Sequence, residues 1–80
     1  MAYKATYSRS AEKYLDRQTN AVRKRIMDAV DRLPDGDVIK LAGREGYRLT
    51  VGGFRVLFDY VGKDSVDVMV IAPRGDVYKK

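Results

Sequence analysis

Residues Tyr47 to Phe58 restrict the fold more than any other stretch of this 80-residue chain. Tyr47, Leu49 and Val51 project one way and Arg48 and Thr50 the other. After Gly52-Gly53 the alternation resumes, with Phe54, Val56, Phe58 and Tyr60 on one side and Arg55, Leu57, Asp59 and Val61 on the opposite one. A period of two is the mark of a β-strand, and two glycines between such runs allow the positive-φ turn of the tightest hairpins. The pattern predicts a core face of Leu49, Val51, Val56 and Phe58. Arg48, Thr50 and Arg55 then face away, toward solvent. A third strand, about 65–72, follows the Gly62-Lys63-Asp64 turn. Its Val66, Val68 and Val70 oppose Met69 and Ile71, the pattern of a central strand buried on both faces.

The N-terminal half supplies the cover for this meander. Ala2 to Tyr7 reads as a strand with Tyr3, Ala5 and Tyr7 on one side and Lys4 and Thr6 on the other. Ser8 is a helix N-cap, because its hydroxyl can take an orphan amide of the first turn. The helix behind it reaches about Gln18, with Ala11, Tyr14, Leu15 and Gln18 on one face. Thr19 or Asn20 caps a second helix, whose apolar stripe is Val22, Ile26, Ala29, Val30 and Leu33. Asp28 and Arg32 have the i,i+4 spacing of an ion pair, and the Arg23-Lys24-Arg25 run reads as a solvated helix face. Pro34 and Asp35-Gly36 end the helix. The short joint predicts an antiparallel helical hairpin. Residues 38–46 read as an irregular surface loop, with Gly43 and Gly46 bracketing Arg44-Glu45. The expected class is α+β in a single domain, 1–80: an N-terminal strand, a two-helix hairpin and a three-stranded antiparallel meander, with the helices on one sheet face.

Composition narrows the chemistry. A chain this short buries only about 60–65% of its unfolded surface. With 45% hydrophobic and 34% charged residues it is nevertheless a globular rather than a disordered sequence. Its longest apolar runs fall far short of the ~18 residues a membrane span needs, so a cytoplasmic protein without a membrane partner is expected. Cysteine and histidine are both absent. Thiolate and imidazole metal sites, disulfides and cysteine nucleophiles are thereby excluded. Acid–base chemistry has to come from Lys, Arg, Tyr or carboxylates. A net charge of +5 and a pI of about 9.6 suit a polyanionic partner. Arg74 follows the last strand after Pro73, four residues before Tyr78, and Lys79-Lys80 close the chain. A tail this short can lie against the sheet edge and bring Arg74 and Tyr78 to the meander arginines.

Taken together, Lys40-Leu41 with Gly43, the Tyr-Arg-Leu-x-Val-Gly-x-Phe-Arg-Val-x-Phe hairpin and the closing Arg-Gly-Asp-Val-Tyr resemble the RelE branch of the RelE/ParE toxin superfamily of bacterial toxin–antitoxin modules. The resemblance spans nearly the whole chain. It implies a small RelE-like fold and a cofactor-free, metal-independent endoribonuclease, an mRNA interferase acting in the ribosomal A site and inhibiting translation. In that chemistry the ribose 2′-hydroxyl attacks the adjacent phosphate. The reaction needs a base, an acid for the departing 5′-oxygen and cations for the phosphorane charge.

Carried over by position, the resemblance gives Arg55 the stabilisation of phosphate charge through paired N–H donors. It gives Arg74 the phosphate and leaving group, and Tyr78 the 2′-hydroxyl. Arg48 takes the place of the first lysine of a Lys-x-Lys strand and Thr50 that of the second. Threonine cannot usefully transfer a proton and arginine hardly deprotonates, so the general base is not fixed by the motif. Lys40, Arg44, Lys79 and Lys80 supplement the RNA surface from loop and tail. The implied partners are mRNA, the ribosome and a cognate antitoxin with an acidic helical segment, in a toxin–antitoxin hetero-oligomer. Two other readings stay open: a ParE-like inhibitor of DNA gyrase without nuclease activity, and an inactive toxin-like module that only binds antitoxin. A supercoiling assay separates the first, and harmless overexpression without the neighbouring gene marks the second.

Overall fold

The computed structural model describes residues 3–73. Seven elements follow one another: β1 (Lys4–Tyr7), α1 (Arg9–Asp16), α2 (Asn20–Asp31), β2 (Asp37–Lys40), β3 (Tyr47–Val51), β4 (Phe54–Val61) and β5 (Ser65–Pro73). The strands form one sheet in the order β1-β5-β4-β3-β2, and the two helices pack on one of its faces. β2 to β5 are antiparallel neighbours, whereas β1 lies parallel to β5 with Ala5 opposite Val66. The class and the meander agree with the sequence pattern.

Helix starts are set by hydroxyls. Thr19 Oγ1 accepts the Val22 amide at 3.2 Å. Ser8 does more: its Oγ accepts the Ala11 amide at 3.0 Å and donates to the Met69 carbonyl at 2.7 Å, while its own amide bonds the Val68 carbonyl at 2.9 Å. One residue thus starts α1 and fastens it to β5. Ser8→Ala removes a cap and strands a partly buried carbonyl, so it is expected to cost about 1–2 kcal/mol in urea-unfolding experiments.

The basic run at the start of α2 divides its labour, and only part of it is a solvated face. Arg23 donates to the Leu15 and Gln18 carbonyls at 3.2 and 3.4 Å and to Asn20 Oδ1 at 2.9 Å. It bonds one carbonyl in the last turn of α1 and one in the connection beyond it, and so ties the start of α2 to the end of α1. Lys24, not Arg32, pairs with Asp28, at 3.2 Å. With both groups largely in water the pair contributes a few tenths of a kcal/mol.

The core is Ala11 and Leu15 from α1, Ile26, Ala29 and Val30 from α2, Leu33, and the inward side chains Leu49, Val51, Val56, Phe58, Val66, Val68 and Ile71. Two sheet features depart from the sequence reading. Asp37–Lys40 is a strand rather than irregular loop, pairing with β3 from Asp37 opposite Thr50 to Lys40 opposite Tyr47. As an edge strand it keeps both sides partly open, so its adjacent Val38 and Ile39 carry no alternation. The second departure is a bulge in β5: Leu57 faces Val70 but Phe58 faces Val68, leaving Met69 as an extra residue. The bulge advances the side-chain alternation by one. Ile71 rather than Val70 therefore continues the buried series of Val66 and Val68, and Val70 is 39% exposed on the other face.

Tyr7 closes the core beside α2. Burial, and then the Asp31 carboxylate, push its phenol up from 10.0 to about 12. The folded state therefore holds this proton more tightly than the unfolded chain. The associated stability is complete below pH 10 and is lost as pH rises through the interval from 10 to about 12. Tyr7→Phe is expected to flatten the decline of melting temperature across that interval. An unchanged slope would contradict the assignment.

Candidate nucleic-acid interface

The sheet face away from the helices carries the candidate chemistry, and the register arranges it in rows. Asp37, Thr50, Arg55 and Ala72 form one cross-strand row; Ile39, Arg48, Leu57 and Val70 form the next. Arg48 and Arg55 are consequently diagonal neighbours on β3 and β4, a relation that puts side chains about 7–8 Å apart at their bases, within reach of long groups. Arg55 is only 4% exposed, although it belongs to the face expected to lie in solvent. The position is a built one, because a guanidinium this far out of water acts with less dielectric screening than a surface lysine. Arg48 and Thr50 are half-buried beside it.

Ile39 and Val70 are exposed at 44% and 39%, so an apolar strip borders the arginines. Beyond it Asp59 stands directly opposite Asp67. The face is therefore cationic toward the Gly52 turn and anionic toward the Gly62 turn. Such polarity draws an anionic chain to one end and repels it from the other. Gly52, at φ 55°, makes the tight turn; Gly53 stays outside the left-handed region.

Other residues singled out from the sequence are distributed differently. Lys40 pairs with Tyr47 on the helix side of the sheet, its Nζ 5.3 Å from the ring centroid. It therefore does not join Arg48 and Arg55. Arg44 is exposed in the loop between β2 and β3, at the end of that hairpin remote from the Gly52 turn. Arg74, Tyr78, Lys79 and Lys80 lie outside the described residues. Beside Lys40, Tyr60 packs against Tyr3 at 5.2 Å and Tyr47 at 5.0 Å between ring centroids. Burial first, then these two phenols, raise its pKa, so Tyr60 stays protonated at neutral pH and is no substitute base.

Sequence reasoning missed the Ile39–Val70 strip and the opposed aspartates. The first depended on recognising β2 and the bulge. The second could have been found by aligning Asp59 with Asp67 across the turn at 62–64.

The register thus puts two arginines and a threonine at neighbouring positions of one sheet face, residue types suited to a phosphate diester. No protein-family model matches the chain, and no curated protein matches it. Solved structures do. The RelE–RelB complex from the archaeon Pyrococcus horikoshii OT3 contains a chain superposing with a TM-score of 0.74 at 28% identity, over 94% of this chain and 98% of that one. The RelB–RelE antitoxin–toxin complex from Methanococcus jannaschii gives 0.72 at 21% identity, over 90% and 93%.

Proposed function

We propose that this RelE-like chain is the toxin of a toxin–antitoxin module and an endoribonuclease that cuts mRNA in the ribosomal A site. The similarity to RelE–RelB complexes supports the fold and an antitoxin partner. The observation that carries the nuclease reading is the diagonal pair Arg48 and Arg55, set into the open sheet face with Arg55 almost fully withdrawn from water.

In the proposed reaction a ribose 2′-oxygen attacks the neighbouring phosphorus and its proton passes to a base. The bond from phosphorus to the 5′-oxygen breaks, and that oxygen takes a proton. The products are a 2′,3′-cyclic phosphate and a 5′-hydroxyl. Arg55 and Arg48 hold the phosphate oxygens through forked N–H donors and oppose the charge that grows in the phosphorane. Thr50 orients the linkage by a hydrogen bond; its hydroxyl is too weak a base to take the proton. Arg74 is assigned to the phosphate and the leaving oxygen, and Tyr78 to the 2′-hydroxyl. The acidic partner that silences the toxin masks the same cationic end, in the cytoplasm where translation occurs.

Cell-free translation of a reporter, followed by primer extension, tests the reading. Wild-type protein is expected to leave cuts within codons, each ending in a cyclic phosphate. Intact message together with inhibited DNA supercoiling would replace this reading with a gyrase-directed toxin.

A further inference from the structure

The opposed aspartates at the far end of the open face have no part in the proposed chemistry. Asp59 of β4 and Asp67 of β5 are direct cross-strand partners. Their sequence neighbours Phe58, Val66 and Val68 are fully buried in the core, so both carboxylates stand on the side away from the helices. Like charges directly opposite one another destabilise a sheet. Among the described residues neither carboxylate enters an ion pair. The protein on its own therefore carries a local repulsion that its fold does not relieve.

The rest of the face says what would relieve it. Along β4 from the Gly52 turn, the row of Arg55 comes first. The row of Arg48 follows, with the exposed Ile39 and Val70 at its outer positions, and the aspartates come last. Cationic, apolar and anionic groups thus succeed one another along the strands. Arg55 and Asp59 are four residues apart, about 13 Å at the rise of a strand. An α-helix spans that distance in about nine residues. RNA suits only the arginine end, because its phosphates are repelled by the other. A partner that covers the whole face needs carboxylates at one end, apolar side chains in the middle and ammonium or guanidinium groups at the other.

We propose that Asp59 and Asp67 are a docking point for the antitoxin: they receive basic side chains at one end of a helical segment whose acidic end lies over Arg48 and Arg55. The pair also selects, since a uniformly acidic segment is turned away at this end. The proposal rests on the antitoxin partner given above and not on the nuclease. Two synthetic helical peptides of equal length and equal apolar stripe test it. One carries Glu at one end and Lys at the other; the second carries Glu at both ends. Net charge favours the second, because the protein is at +5. In fluorescence-anisotropy titrations the dipolar peptide is nevertheless expected to bind about 10-fold more tightly, because a like-charge contact across an interface is strongly unfavourable. Asp59→Asn combined with Asp67→Asn should cancel that preference, whereas Asp28→Asn, on α2, should leave it in place. Asp67→Asn alone should raise the melting temperature by about 1–8 °C, since it removes one of two opposed charges. Equal binding of the two peptides, or a preference that survives the double substitution, would overturn the inference. Self-association that the double substitution abolishes would give the face to a second copy of the chain instead. Binding of neither peptide by a protein that still cuts message would overturn the inference and leave the nuclease standing.

Discussion

Arg55→Ala is expected to lower message cutting by about 10²–10³-fold, the loss seen when one preorganised donor to a developing oxyanion is removed. Three features concentrate the effect at this residue. It is 4% exposed, so its charge acts through little water. It stands between Thr50 and Ala72 in the same cross-strand row. It is also the diagonal neighbour of Arg48, so a phosphate between them meets two forks. Arg55→Lys keeps the charge and loses the fork; it should recover only part of the activity, because the paired geometry is what a lysine cannot reproduce. Cutting should weaken as salt rises, and less steeply for Arg55→Ala, which has lost one phosphate contact. The measurement is the yield of cut message at fixed protein, alongside the circular-dichroism melting curve of each variant. Cutting by a folded Arg55→Ala within about threefold of wild type would remove Arg55 from the chemistry, since it falls far below the loss anticipated for such a donor.

Phe58→Ala should bring the largest loss of stability. Phe58 is completely buried, stacks on Tyr47 at 5.7 Å between centroids and meets Tyr60 edge-on at 5.2 Å. It also sits where the β5 bulge shifts the register from Val70 to Val68. Truncating a buried phenylalanine to alanine costs about 3–5 kcal/mol. At roughly 0.05–0.15 kcal/mol per residue the whole fold is worth only about 4–12 kcal/mol. The variant should therefore melt some 15–30 °C below wild type, at about 4–8 °C per kcal/mol for a domain of this size. A drop under about 5 °C would mean that the aromatic cluster repacks around the gap, a small outcome on the same scale. Tyr60→Phe, which keeps the ring, is the matched control.

Much of this organisation can be read from the residues, for identifiable reasons. Strong alternation on both sides of Gly52-Gly53 gives β3, β4 and the faces of Arg48 and Arg55. Ser8 and Thr19, each ahead of an apolar stripe, give the starts of the two helices. The failures are equally physical. β2 has four residues, lies at an edge and puts Val38 beside Ile39, so no period of two shows. The β5 bulge is invisible in a run where Val66 to Ile71 is apolar at every position but Asp67. Alternation points Arg55 to the open face but leaves its burial unread, because it reports direction and not depth. Lys40 stands in a motif with Leu41 and Gly43 that suggests the RNA surface, whereas its pairing with Tyr47 sends it to the other side.

The parallel pairing of β1 with β5 bears on how such a protein comes into being. Residues 4–7 find their partners only at 65–68, and Ser8 waits for the carbonyls of Val68 and Met69. Contacts separated this widely along the chain form late and slowly. A nascent polypeptide still lacking its last strand has neither a finished sheet nor the Leu57–Val70 pairing that borders the arginines. The open face that carries Arg48 and Arg55 is thus assembled only once the C-terminal strand has joined the sheet.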